Sequence, residues 1–144
     1  MATQAPLETG GFGYFDHDAD IGVEGWGPSP EAAFVSAARA TFALVTDPEG
    51  VRPLERIGVE FEEPDVEMAL VRWLNLLLGH AADRGLVLGR FALARDGASW
   101  RGEAWGEPWR EGLERGTGVK GATLTALSVS QSRGRWSARC VVDV

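Results

Sequence analysis

The chain has 144 residues, 44% of them hydrophobic and 24% charged, and its formal net charge is −7. This length is that of one compact domain, and the composition excludes a disordered chain, a collagen-like chain and a disulfide scaffold. The acidic balance also disfavours autonomous binding to nucleic acid, because that binding depends on a basic surface. Lys120 is the only lysine among 14 basic residues, which singles out its position.

The sequence carries no pattern typical of a membrane or secreted protein. Its most apolar stretch, 69–78, is interrupted by Arg72 and Asn75, whereas a spanning helix needs about 18 apolar residues in a row. Residues 1–11 lack the basic and apolar regions of a signal peptide and predict a flexible N-terminal arm ahead of one domain at 12–144. We therefore expect a soluble cytoplasmic protein that does not contact a membrane. The single cysteine, Cys140, lies in an apolar strand pattern and predicts a small buried residue rather than a reactive thiol.

Two helix signals interrupt a series of strand-like segments. Ser29 is a good N-cap with Pro30 at the first helical position, and a second helix opens at Pro64-Asp65 and is ended by Gly85. The predicted elements in chain order are strands at 12–15 and 21–26, a helix at 30–45, a strand at 57–61, the helix that ends at Gly85, a hairpin of 90–95 and 98–105 around Asp96-Gly97, and strands at 122–130 and 136–142. This order predicts an α+β fold, a single domain in which two helices pack on a mostly antiparallel β-sheet.

Two acidic segments are candidates for a metal site. His17-Asp18-Ala19-Asp20 is a polar turn between the first two strands, and Asp143-Val144 directly follows the last apolar strand. If Asp20 folds against that segment, two or three carboxylates converge, and a divalent cation would relieve their repulsion. Oxygen-only ligands favour Mg²⁺, Ca²⁺ or Mn²⁺ over Zn²⁺. A solvated acidic turn and a tail without a role are the alternatives that these residues leave open.

Lys120 lies in a glycine-rich segment, 116–123, whose composition suggests a phosphate loop. The segment lacks the GxxxxGK[ST] pattern and no helix pattern follows it, which excludes a Walker-type site. The remaining interpretation is a flexible loop that places one ammonium group before a strand, and the alternative is a solvated lysine. The chain also lacks GxSxG and HExxH motifs.

Taken in order, these motifs resemble the archease family. The resemblance covers about residues 14–144 and rests on His17-Asp18-Ala19-Asp20-Ile21-Gly22, Gly25 and Ser29, the helix pattern of Glu31, Phe34, Ala37 and Ala38, Thr46-Asp47, Trp73-Leu74-Asn75, Gly106-Glu107, Val119-Lys120 with Thr123, and Val142-Asp143-Val144. Archeases act with RtcB-type RNA ligases, the enzymes that seal tRNA halves after intron removal. The resemblance therefore implies a non-enzymatic activator that promotes ligase guanylylation and multiple turnover in tRNA splicing and RNA repair, and that meets RNA only through the ligase.

The resemblance also implies which residues form the site. It implies a metal site at Asp20 and Asp143, with Val144 supplying backbone or terminal oxygens. Calcium is the ion it favours, with magnesium or manganese as alternatives. Lys120 falls on the lysine of the family pattern, and we assign Lys120 and His17 to ligase activation.

The sequence departs from the family pattern near both parts of the site. Asp18 stands where the family commonly has threonine, and Gly121, Leu124 and Thr125 replace the usual alanine and tyrosine-histidine after the lysine. Two other functions remain as alternatives. One is a small metal-dependent phosphoesterase or nucleotide hydrolase that uses the same carboxylates, against which the chain offers no nucleophile and no convincing general base. The other is a metal-independent chaperone or interaction module.

Overall fold

A computed structural model describes residues 10–144 of the chain. The elements in chain order are β1 (Gly11–His17), β2 (Asp20–Gly27), α1 (Pro30–Val45), a 3-10 turn (Pro48–Gly50), β3 (Glu55–Glu62), α2 (Val66–Arg84), β4 (Leu86–Asp96), β5 (Ser99–Pro108), β6 (Gly121–Ala122), β7 (Ser128–Ser132) and β8 (Arg135–Asp143). The α+β fold class and both helices are as predicted. Residues 1–9 of the predicted arm lie outside the described residues. Gly11, also assigned to that arm, is instead the first residue of β1 and pairs with Trp26.

The strands form two antiparallel sheets. Sheet one has the order β1-β2-β8-β6, with β7 also paired to β8, and sheet two has the order β3-β5-β4. The single sheet that we expected is thus divided. Helix α1 contacts β1, β2 and β8 of sheet one and β4 of sheet two. It lies between the sheets, and its buried residues cover most of its circumference, whereas Arg39 is exposed.

The ends of the two helices follow the predicted signals. The Ser29 hydroxyl accepts a hydrogen bond from the Ala32 N–H at 3.1 Å, which satisfies one of the free donors of the first turn of α1. Gly85 ends α2 with φ 65°, a left-handed conformation that favours glycine. Within residues 10–144, neither helix is long and apolar enough to cross a membrane.

Strand β2 approaches α1 closely because glycine occupies the contact. A Cβ atom on Gly25 would overlap the backbone of α1 at Ala33 and Ala37. On the other side of the helix, the Trp73 indole of α2 donates a hydrogen bond to the Phe34 carbonyl at 3.0 Å. The helix is therefore fixed by backbone contact on one side and by a buried tryptophan on the other.

The segment predicted as one strand, 122–130, is broken. Strand β6 ends at Ala122, and β7 begins only at Ser128. Ala126 between them has φ 54°, which no extended strand contains. The alternating pattern predicts a strand that is present only at the two ends of this segment, and it does not reveal the interruption. The hairpin strands are also longer than predicted, because β4 begins at Leu86 and β5 ends at Pro108.

Candidate functional site

The turn between β1 and β2 holds two of the predicted site residues. His17 and Asp20 face each other as the last register pair of the hairpin. Asp18, at the first turn position, has φ 53°, a left-handed conformation that aspartate tolerates better than most residues. Its side chain is 94% exposed, and its carboxylate lies 3.9 Å from His17 Nδ1. The extra charge of Asp18 therefore points into solvent rather than into the turn.

Asp20 lies beside the end of β8. Strands β2 and β8 are neighbours, with Ile21 paired to Val142. This pairing places the Val144 N–H 3.4 Å from Asp20 Oδ1, to which it donates a long hydrogen bond. Residues separated by 124 positions in the chain are thus brought together.

Lys120 reaches the same end of sheet one from the other side of β8. Its backbone N–H donates a hydrogen bond to the Asp143 carbonyl at 2.8 Å, and Gly121 pairs with Asp143 in the register of β6 and β8. The Lys120 side chain is exposed. Within residues 10–144, no carboxylate is close enough to form an ion pair with its ammonium group. The geometry leaves this cation available to an external anion.

The carboxylates of the site have no cationic partner either. Asp20 is half-buried and Asp143 is exposed, and neither forms an ion pair with an arginine or lysine of the described part of the chain. Asp20, Asp143 and the main chain of Val144 offer oxygens, the ligand type that calcium and magnesium prefer. No cluster of three acidic, histidine or cysteine side chains occurs between residues 10 and 144. A cation held here would therefore need main-chain oxygens or water as further ligands beside the two carboxylates. With those ligands, the donor set fits a hard divalent ion.

Asn75 of α2 is a site residue whose role the sequence did not reveal. Its side-chain Oδ1 accepts a hydrogen bond from the Ala122 N–H at 2.8 Å, and its Nδ2 donates one to the Ala122 carbonyl at 3.1 Å. The amide thereby pairs with both backbone groups of Ala122 in β6, as a neighbouring strand would. Gly121 leaves room for it, because a Cβ there would lie 3.3 Å from Asn75 Oδ1. The Trp73-Leu74-Asn75 motif contained the signal, but only the fold shows which backbone the amide meets.

Two buried ionisable groups lie outside this site. Glu107 of β5 is only 1% exposed, and hydrogen bonds from the Arg110 and Arg52 side chains lower its pKa to about 2. Its other oxygen accepts the Arg52 backbone N–H at 2.7 Å. This carboxylate is fully partnered, which is typical of a structural ion pair. Cys140 is buried, as predicted, and this burial raises the pKa of its thiol to about 12.

The described chain also has a groove away from the predicted site. It measures about 620 Å³ and lies at the hairpin end of sheet two. The Arg95 guanidinium covers the Trp100 ring there at 4.9 Å, and acidic residues of β3 form the opposite wall. We place the candidate site at the end of sheet one, because the backbone there brings the segments of Asp20, Asp143 and Lys120 next to one another.

This fold and this site define a class of small single-domain α+β proteins, with two antiparallel sheets around a central helix and one compact charged site. The Archease protein family matches residues 12–144. The chain belongs to the archease family.

Individual relatives agree with this assignment. The chain is 38% identical to protein archease of Sulfolobus acidocaldarius, with 92% of this chain and 98% of that protein covered. It is 31% identical to protein archease of Aeropyrum pernix, with 96% and 100% covered. A solution structure of a Methanobacterium thermoautotrophicum protein matches with a TM-score of 0.77 at 30% identity, covering 93% of this chain and 99% of that one. A Thermotoga maritima archease, described as a possible chaperone, shares the fold with a TM-score of 0.65 at 20% identity, covering 90% and 94%.

Proposed function

We propose that this archease is a cytoplasmic, non-enzymatic activator of an RtcB-type RNA ligase in tRNA splicing and RNA repair. It would promote guanylylation of the ligase and its multiple turnover through a metal-binding acidic site. The observation that carries the proposal is that the backbone segments of Asp20, Asp143 and Lys120 are neighbours at one end of sheet one.

The charges of the site support this role. Two carboxylates without a cationic partner suit a divalent cation, which we propose to be calcium, with magnesium or manganese as alternatives. Asp20, Asp143 and main-chain oxygens of Val144 would hold it. Bound there, the ion would supply positive charge for phosphate oxygens. Lys120 would add a mobile point charge beside it, and a guanylylation reaction has nucleotide phosphates to which both could bind.

The absence of a nucleophile argues for activation rather than catalysis. Cys140 is buried, and the candidate site contains no serine or cysteine. His17 is 40% exposed in the turn and lies beside Asp20, where it can contact a partner. An activator shifts its partner only if it binds the competent state more tightly than the spent state. The protein would therefore bind the ligase that is ready for guanylylation more tightly than the ligase that has finished a cycle.

A multiple-turnover ligation assay with the RtcB-type ligase of the same organism tests the proposal. We expect the wild-type protein to raise turnover, and Asp20→Ala, Asp143→Ala and Lys120→Ala each to reduce that stimulation at least tenfold. Asp96→Ala is the matched control, because Asp96 is an exposed aspartate in the hairpin of sheet two. Full stimulation by all three site variants would overturn the site. Phosphate release from GTP or RNA ends by the purified protein alone would overturn the non-enzymatic assignment.

Metal binding is tested separately by calorimetry with Ca²⁺, Mg²⁺ and Mn²⁺. We expect one site in the wild-type protein, lost in Asp143→Asn and retained in Asp96→Asn. Both substitutions remove one charge and keep the side-chain size, so they differ only in location. No heat of binding with any of the three ions would contradict a metal site.

Lys120→Arg tests whether the ammonium group itself matters. The variant keeps the charge but replaces a compact, flexible ammonium by a planar guanidinium. We expect stimulation of the ligase to fall, although the side chain is exposed and the fold does not depend on it. Unchanged stimulation would show that any cation at this position is sufficient.

A further inference from the structure

The broken strand beside the site exposes an apolar residue. Between the pairs Ala122–Val142 and Ser128–Arg139, the edge strand advances six residues while β8 advances three. Three extra residues therefore bulge out of the sheet edge. Leu124 lies in this bulge and is 60% exposed, and it is one of three exposed large hydrophobic residues in the described chain. Bulges are common next to functional sites, where they redirect side chains.

The bulge is held rigidly although it leaves the sheet. The Thr123 N–H and hydroxyl both donate to the Val141 carbonyl, at 3.0 and 2.9 Å. The Val141 N–H donates in turn to the Thr125 carbonyl at 3.1 Å, and the Leu127 N–H closes the turn on the Leu124 carbonyl at 3.3 Å. Ala126 adopts φ 54°, a left-handed conformation that a residue with a side chain avoids unless its surroundings impose it. Leu124 is therefore presented on a fixed backbone.

Leu124 and Lys120 are close enough to belong to one contact surface. Four residues of chain separate their Cα atoms by at most about 14 Å. A standard protein–protein interface covers about 800 Å² on each partner, which corresponds to a disc of roughly 16 Å radius. A protein that contacts the charged end of sheet one would therefore also cover Leu124.

We propose that Leu124 is an apolar anchor that inserts into a pocket of the partner ligase, beside the charged residues of the site. This inference rests on the proposed function and names the contact that holds the partner there. An exposed apolar residue on the same surface as a charged site matches the arrangement of an interface core and its polar rim. A protein pocket is a better occupant than RNA, because the chain carries a net charge of −7 and leucine offers no aromatic face for a base. The rigid backbone lowers the ordering cost of such a contact.

The test is a titration of the ligase with this protein in the multiple-turnover assay. Removing a buried leucine side chain from the complex should raise the half-maximal concentration of Leu124→Ala roughly tenfold to a hundredfold, with an unchanged plateau. Leu124→Met keeps the apolar volume and should titrate like wild type. Leu54→Ala is the matched control, because Leu54 is 63% exposed but precedes β3 of sheet two.

Each other outcome has a defined meaning. A wild-type titration curve for Leu124→Ala would overturn the anchor and leave the proposed function intact. An unchanged half-maximal concentration with a lower plateau would place Leu124 in the activation step instead and would also overturn it. If light scattering shows a dimer that Leu124→Ala dissociates, Leu124 contacts a second copy of this chain, and the proposal of a ligase pocket is wrong. If the wild-type protein does not stimulate the ligase, both the proposed function and the proposed role of Leu124 are wrong.

Discussion

Replacing Asn75 by alanine tests how the charged end of sheet one is held in place. The Asn75 amide makes two hydrogen bonds to the Ala122 backbone, at 2.8 and 3.1 Å. Each is worth about 0.5–1.5 kcal/mol net. Asn75 is exposed, so water can replace the lost partners in part, and we expect a loss of about 1–2 kcal/mol. Because β6 has only two residues, the substitution lowers the free energy of local opening of this strand rather than that of unfolding the core.

Amide hydrogen exchange measures this opening directly. A loss of 1–2 kcal/mol predicts that the Ala122 N–H exchanges roughly 5–30 times faster in Asn75→Ala. The Ala104 N–H of sheet two should change less. Asn75→Asp retains the oxygen that accepts the Ala122 N–H and should keep most of its protection. Wild-type exchange of Ala122 in the alanine variant would refute the conclusion that this side chain holds β6. We expect ligase stimulation to fall in the same variant, because β6 directly follows Lys120.

Three further substitutions or treatments test other parts of the fold. The pKa of Glu107 lies near 2 instead of 4.5, so its contribution to stability is complete above about pH 4.5 and is lost as the pH falls toward 2. We therefore expect the gap in thermal midpoint between wild type and Glu107→Gln to be constant above pH 4.5 and to narrow below it, and curves that stay parallel would contradict this. Gly25→Ala should cost about 1–3 kcal/mol in urea unfolding, because its methyl group overlaps the backbone of α1 at Ala37, and an unchanged midpoint would show that the helix can move away. Cys140, buried and with a pKa raised to about 12, should react with a thiol reagent only after denaturation, and rapid labelling of the native protein would disprove its burial.

The local elements of this fold were predictable because their signals are local. Ser29 and Pro30 mark the start of α1, and Gly85 marks the end of α2, since caps depend on residues a few positions apart. The division into two sheets was not predictable in this way. Alternating polar and apolar residues indicate a strand and its buried face, but they do not indicate which strand is its neighbour.

The candidate site shows the same limit. The residue types at Asp20 and Asp143 suggested oxygen ligands, and their meeting required that β2 pair with β8 across more than 100 residues. The resemblance to the archease family implied a joint site at these two residues, but not the strand pairing that it requires. Asn75 looked like a polar residue interrupting an apolar helix, since nothing in its neighbourhood along the chain identifies the Ala122 backbone as its partner. The bulge after β6 was not predictable for a related reason. Polar and apolar residues continue to alternate through it, although its backbone leaves the strand conformation.

The central position of β8 determines the order in which this protein can be completed during synthesis. All strands of sheet two lie between residues 55 and 108, so that sheet can close while β8 has not yet been translated. Strand β2 can pair with β1 early, but its other neighbour, β8, is made more than 100 residues later. Until then, the second edge of β2 is open to strands of other chains. The charged end of sheet one comes into existence only with that last pairing. A chain that ends before β8 therefore lacks the strand pairing that places Asp20 beside the end of β8.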